Sequence, residues 1–324
     1  MNFTCGNDGG QPQGPITVDS LGNLYGTTWI GGTKGHGTVF RLAPQTDSTW
    51  KYKVLHNFTI AGVDGGAPAG AIVFDSTGAL YGATFSGGKY GYGTVYQMTV
   101  DTTDKWRLKT LHSFNQDQKD GYNPLSGPSL DSAGNIFGAT KQGGANGAGI
   151  VYKLSKNTQG AWVETLVHVF NPVNGVDGSY PVGSLLIGSD GALYGTTSSG
   201  GAAGFYGIVF KFALDSNNKW QETILHSFTN GADGGEPLAG LIADAAGAFY
   251  GTASTGGGNG AGLVFKLALN AQGKWAETVL YNFKGGNDGY RPESSLVSDA
   301  TGALYGTTQE GGVSDLGTVF QVTP

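Results

Sequence analysis

Three glutamates, Glu236, Glu293 and Glu310, together with His36 and Arg291, are side chains whose types suit catalysis and whose places are not repeated elsewhere in this chain. Paired carboxylates about 5–5.5 Å apart would serve a retaining glycosidase, and roughly 6.5–9.5 Å apart an inverting one. His36 or a tyrosine acting as base, with Arg291 neutralising a uronate, would serve a polysaccharide lyase instead. A second group, Trp29, Phe85, Tyr122, Tyr180 and Tyr290 with Gln11, Gln13 and Lys141, mixes aromatic rings with amides and a cation. Such a mixture suits sugars, whose axial C–H faces stack on rings while their hydroxyls need paired donors and acceptors. Each group also has a plainer reading: a solvated rim for the charges, and loops packed on one another for the rings.

What must position these side chains is a repeat. Leu193-Tyr194-Gly195-Thr196-Thr197 has close copies whose aromatic residue falls at Tyr25, Tyr81, Phe137, Tyr194, Tyr250 and Tyr305, at intervals of 56, 56, 57, 56 and 55 residues. A period near that value signals stacked or circular repeats rather than one irregular core. In the fourth copy, Leu185-Leu186-Ile187 is a short apolar strand ending in the turn Ser189-Asp190-Gly191, and Leu193 to Thr197 is a second strand. Ile208 to Phe212 and Trp220 to Phe228 have the β-branched and aromatic content of a third and a fourth. Connections this short leave no room for crossover helices, so the four strands run antiparallel. The expected fold is all-β: a six-bladed β-propeller of four-stranded antiparallel blades. One domain over 1–324 is expected, with blades at about 12–60, 68–116, 124–172, 181–230, 237–285, and 292–324 plus 1–4. The last copy stops after its third strand, and Met1-Asn2-Phe3-Thr4 matches His56-Asn57-Phe58-Thr59. The N-terminal segment is therefore expected to complete the last blade and close the ring.

The run Leu24-Tyr25-Gly26-Thr27-Thr28, Gly31-Gly32, Gly37-Thr38-Val39-Phe40, Trp50, Leu55-His56-Asn57-Phe58 and Asp64-Gly65 resembles the bacterial tandem repeat called GloVer, over almost the whole chain. Its strand and turn pattern is also similar to that of NHL-type propellers. The resemblance implies a propeller in an exported or surface-anchored bacterial protein, hence a secreted or cell-surface location. It carries no catalytic residues over.

A residue found in every blade is explained by what every blade needs, so functional residues are sought where the repeat breaks. His56, His112, His168 and His226 share one repeat position, with Tyr281 in the fifth blade, and are expected to be structural hydrogen-bonding groups rather than zinc ligands. Asp-Gly-x-x-Pro recurs at Asp8, Asp64, Asp120, Asp177, Asp233 and Asp288. Six carboxylates would suit calcium, but Asp before Gly is also what a backbone-bonded turn requires, so no metal or cofactor is expected. Glycine-rich loops such as Gly200-Gly201-Ala202-Ala203-Gly204 lack the Gly-Lys-Ser/Thr ending and the following helix of a phosphate cradle. The breaks lie elsewhere. Just before the loop proline the series is Gln11, Ala67, Asn123, Tyr180, Glu236 and Arg291, and after Tyr-Gly-Thr-Thr it is Trp29, Phe85, Lys141, Ser198, Ser254 and Gln309. Both series are expected on the face where a propeller's channel opens.

Glycine at 59 of 324 residues, against roughly 7% in average domains, suits many tight turns. The formal charge of −6 with no basic cluster excludes a phosphate-backbone partner, so nucleic acid is not expected. No apolar run approaches the roughly 20 residues of a membrane span. Met1-Asn2-Phe3-Thr4 lacks the basic and apolar regions of a leader. Cys5 is the lone cysteine, which rules out an internal disulfide. A monomeric, non-catalytic module binding a glycan or another extracellular ligand is the leading expectation, because no repeat-breaking nucleophile has a base beside it. A glycoside hydrolase or polysaccharide lyase, and a structural segment of a larger surface protein, are the alternatives.

Overall fold

The computed structural model describes residues 2–202 and 204–324; Met1 of the matched N-terminal segment and Ala203 of the fourth glycine-rich loop lie outside them. The chain is all-β, a β-propeller of six blades built on four-stranded antiparallel sheets, with two single 3-10 turns at Pro172–Asn174 and Gly286–Asp288. No helix is long and apolar enough to cross a membrane among the described residues. The blades fall into two compact units, one ending at Val169 and one starting at Phe170.

In the first unit, blade one runs Thr17–Val18, Leu24–Thr28, Thr38–Pro44 and Trp50–Asn57, each strand paired with the next. Blade two runs Gly65–Phe74, Leu80–Gly87, Thr94–Val100 and Trp106–Ser113; blade three runs Ser129–Leu130, Ile136–Thr140, Ile150–Lys156 and Trp162–Val169. The aromatic residue just after one fourth strand packs on the third strand of the following blade: Phe58 lies 5.4 Å from Tyr96, and Phe114 lies 5.3 Å from Tyr152. These rings are fully buried, which makes them the seams between sheets. Phe3 takes the same place, 5.2 Å from Phe40, although no strand precedes Thr17 among the described residues.

The second unit repeats the plan, with Phe228 5.3 Å from Phe265 and Phe283 5.0 Å from Phe320. Its blades pair Leu186–Ile187, Leu193–Gly200, Ile208–Leu214 and Trp220–Ser227, then Ile242–Ala243, Phe249–Ala253, Leu263–Leu269 and Trp275–Asn282. The sixth set is Val297–Ser298, Leu304–Glu310 and Val319–Val322, with Tyr290–Pro292 also on Leu304–Glu310.

Two shared positions follow from this packing. The glycine of Tyr-Gly-Thr-Thr lies under the third-strand ring: a Cβ on Gly138 would sit 2.2 Å from Tyr152 Oη, and one on Gly195 would sit 2.5 Å from the Phe210 ring. A β-bulge recurs between the third and fourth strands, so that Val39 pairs with His56 while Phe40 pairs with Val54, leaving Leu55 unpaired. The same shift stands at Val95/Tyr96, Val151/Tyr152, Val209/Phe210 and Val264/Phe265. Bulges re-aim side chains.

Candidate functional site

The residues shared by all blades are engaged with one another. The bulged strand presents His56 Nε2 to Asp64 at 3.2 Å and His112 Nε2 to Asp120 at 3.0 Å, and where Tyr281 replaces histidine its hydroxyl donates to Asp288 at 2.6 Å. Each aspartate is also the acceptor that shapes its loop: Asp64 takes the amides of Thr59 and Gly65, Asp120 those of Asn115 and Gly121, and Asp177 those of Asn171 and Gly178. Burial alone would raise Asp64, but His56 and these amides outweigh it and hold the carboxyl below its usual range. The Asp-Gly motif is thus a turn and the histidine its strut.

One partner of these struts was not singled out from the sequence. Glu164, two residues after Trp162 in blade three, lies 3.8 Å from His112 Nε2 of blade two, and the ligand atoms of His112, Asp120 and Glu164 are all within 4.8 Å of one another. That spacing could hold a cation. Burial, with a smaller contribution from Asp120, pushes the Glu164 carboxyl up to about 7 in spite of His112. Glu277 in blade five is pushed up to about 7 by burial and by Asp233. The available signal was glutamate at one position in blades three, four and five, Glu164, Glu222 and Glu277, against Tyr52 and Leu108 in blades one and two.

The residues before the loop proline share a backbone feature invisible in the sequence. Gln11, Ala67, Asn123, Tyr180, Glu236 and Arg291 all hold positive φ, between 50° and 58°. A side chain in this left-handed region costs on the order of 1 kcal/mol relative to glycine. All six blades keep a side chain here in a chain that places glycine at most of its left-handed positions, so the conformation belongs to the repeat itself. Each such residue is clamped by backbone hydrogen bonds. The amides of Ala67, Asn123, Glu236 and Arg291 donate to the carbonyls of His36, Tyr92, Tyr206 and Ala261 at 2.9, 3.0, 2.8 and 3.1 Å. The carbonyls of Gln11, Asn123 and Glu236 accept from the amides of Trp29, Lys141 and Ser254 at 3.0, 3.4 and 3.3 Å, and that of Tyr180 accepts from Ser198 Oγ at 3.1 Å. At four of the six positions the two repeat-breaking series are thereby joined residue to residue.

In the first unit, Trp29 and Phe85 stand with ring centroids 5.2 Å apart, inclined at 47°, both half-buried. Asn123 Nδ2 donates to the Phe85 carbonyl at 2.9 Å, and Gln11 and Gln13 are exposed. Tyr92 and Tyr122 form a second pair, 5.5 Å apart, with Tyr92 Oη donating to Gln116 at 2.5 Å. His36 and Lys141 are half-buried.

In the second unit, Arg291 gathers two of the three candidate acids. Its Nη2 and Nε lie 2.8 and 3.1 Å from Glu293 Oε1, and its Nη1 lies 3.4 Å from Glu310 Oε1. Tyr290 pairs with Glu310 across the sheet. Glu236 is half-buried, with its backbone engaged as above, and Tyr180 is exposed.

The profile of the Gloeobacter/Verrucomicrobia repeat matches residues 46–228 and 186–324. No curated protein matches the chain in sequence. Among solved structures, a glucose dehydrogenase is similar over 97% of both chains, at 16% identity and a TM-score of 0.54. A putative oxidoreductase (glucose dehydrogenase) from Thermus thermophilus is similar over 98% of both chains, at 14% identity and a TM-score of 0.56. At such identities the likeness is one of fold.

Proposed function

The chain belongs to the Gloeobacter/Verrucomicrobia repeat family, and on that premise we propose that it is a non-catalytic module that binds carbohydrate outside the cell or at its surface. The observation that carries this reading is the half-buried pair Trp29 and Phe85, at a repeat position filled elsewhere by Lys141, Ser198, Ser254 and Gln309. A pyranose C–H face stacks on such rings, and Gln11, whose carbonyl accepts from Trp29, and Asn123, whose amide donates to Phe85, supply side-chain amides beside them for hydroxyls. A second reading, a carbohydrate-active enzyme, draws on the convergence of Glu293 and Glu310 on Arg291. Here the guanidinium stands between the two carboxylates, where an inverting or retaining pair would need the glycosidic oxygen or a water. The same guanidinium would neutralise a uronate in the lyase variant.

A glycan array, run beside a reducing-end assay on the same polysaccharides, separates the readings. Saturable binding without new reducing ends is expected, and Trp29→Ala should weaken it at least tenfold. Undiminished affinity in that variant retires the stacking site, and new reducing ends transfer the function to the acids.

A further inference from the structure

The slot beside each strut is filled in one blade after another by the residue two places after the strand-opening tryptophan. Glu164 fills it against His112 and Asp120, and Tyr52 fills it by donating its hydroxyl to the Asp8 carbonyl at 2.5 Å. In blade two that residue is Leu108, which packs inward on the core around Phe58 and Tyr96 and offers His56 and Asp64 nothing polar. Beside it lies a cleft of about 540 Å³ lined by the apolar Leu108, Leu111 and Val63, by Thr110, His112 and Ser113, and by His56 and Asp64. Its size falls in the range of small-ligand sites. Its rim carries Lys89 and Lys109, neither in an ion pair among the described residues; the one charge contact of Lys89 is the face of Tyr90, 4.9 Å from its Nζ. Lys89 breaks the repeat, since the residues following the paired glycines elsewhere are Thr33, Ala145, Ala202, Gly258 and Val313; at the place of Lys109, blades three to five carry Thr165, Thr223 and Thr278, while blade one carries Lys53, which is paired with Asp104. The Asp64 carboxylate at the back is already taken by His56, Thr59 and Gly65. The cleft therefore sets apolar side chains beside two lysines that lie in no ion pair among the described residues, and beside no free carboxylate, in a chain whose net charge is −6.

We propose that this cleft between blades one and two is a second binding site, distinct from the Trp29 and Phe85 pair, for a small organic anion with an apolar body of one or two rings. The body lies on Leu108 and Leu111, and the anionic group faces Lys89 and Lys109. The chain supplies its own test, because two substitutions restore what other blades carry. Fluorescence titration and calorimetry with 8-anilinonaphthalene-1-sulfonate should show saturable one-to-one binding to the wild type, and weaker binding of the uncharged N-phenyl-1-naphthylamine. Leu108→Glu, which puts the repeat's glutamate back into the slot, should abolish binding. Lys109→Thr should weaken it about threefold to fivefold, and Lys89→Glu/Lys109→Glu more than tenfold. Melting curves taken alongside show whether Leu108→Glu remains folded; the lysine variants change only the rim and decide the matter if it does not. Absence of saturable binding, equal affinity for the uncharged analogue, or unchanged affinity in the lysine variants would overturn the proposal.

Discussion

Burial pushes the Glu164 and Glu277 carboxyls up to about 7 from an ordinary value of 4.5, so between those values the folded chain holds more protons than the unfolded one. Their contribution to stability is complete below about pH 4.5 and is lost as the pH rises through 7. His112 acts in the same sense: burial lowers it, but Asp120 and Glu164 outweigh that and raise it, so its contribution is also lost on the alkaline side. His226, drawn down by burial, opposes them by favouring the unfolded chain as the pH falls through 6.5. Asp64 and the other lowered carboxyls lose their contribution only as the pH falls below about 3.8. Melting temperature is therefore expected to rise from pH 7.5 towards pH 5 and to fall below pH 4. Glu164→Gln should flatten the upper limb and raise the value at pH 7.5 by roughly 2–4 °C; a steeper limb contradicts the assignment. Asp120→Ala, which strips acceptors from His112 and from the amides of Asn115 and Gly121, should cost about 2–4 kcal/mol in denaturant melts. The Asp-Gly turns were legible in the sequence because their hydrogen bonds close within a few residues. Glu164 was not, because its partners His112 and Asp120 belong to the preceding blade and 44 or more residues separate them in the chain.

Strands and seams were the most legible level, since period, turn residues and apolar runs are local signals, and the six Leu-Tyr-Gly-like strands fall where the repeat places them. The bulge was not legible, because it consists of one residue such as Leu55 that has strand composition but no ladder partner. Nor were the left-handed backbones of Gln11, Tyr180, Glu236 and Arg291, whose side chains give no hint of positive φ. Two substitutions probe this level. Gly138→Ala would place a Cβ 2.2 Å from Tyr152 Oη in a seam with no spare room, and is expected to destabilise by about 2 kcal/mol or more. Phe3→Ala, or removal of residues 2–4, takes away the ring that stands 5.2 Å from Phe40 and 6.1 Å from Tyr52. Either should lower the melting temperature, and an unchanged curve would mean that this segment contributes nothing to blade one.

Across the whole molecule, six repeated blades divide the residues into those all blades share and those only one carries. Among the shared ones, His56 with Asp64 and Tyr25 with Asp19 satisfy one another. The unshared ones collect at a few places: the Trp29 and Phe85 pair, the Arg291 cluster, and the cleft over Leu108. Which of them meets a ligand could not be read from spacing, because an aromatic that stacks on a sugar and one that packs a loop have the same sequence signature. Calorimetric titration of the best glycan-array ligand into the wild type and into Trp29→Ala, with both proteins melted in parallel, tests the central claim most directly. Affinity should fall at least tenfold, in keeping with loss of an aromatic stacking contact, while the melting temperature changes by no more than a few degrees. Equal affinities, or no glycan bound by the wild type, would contradict it.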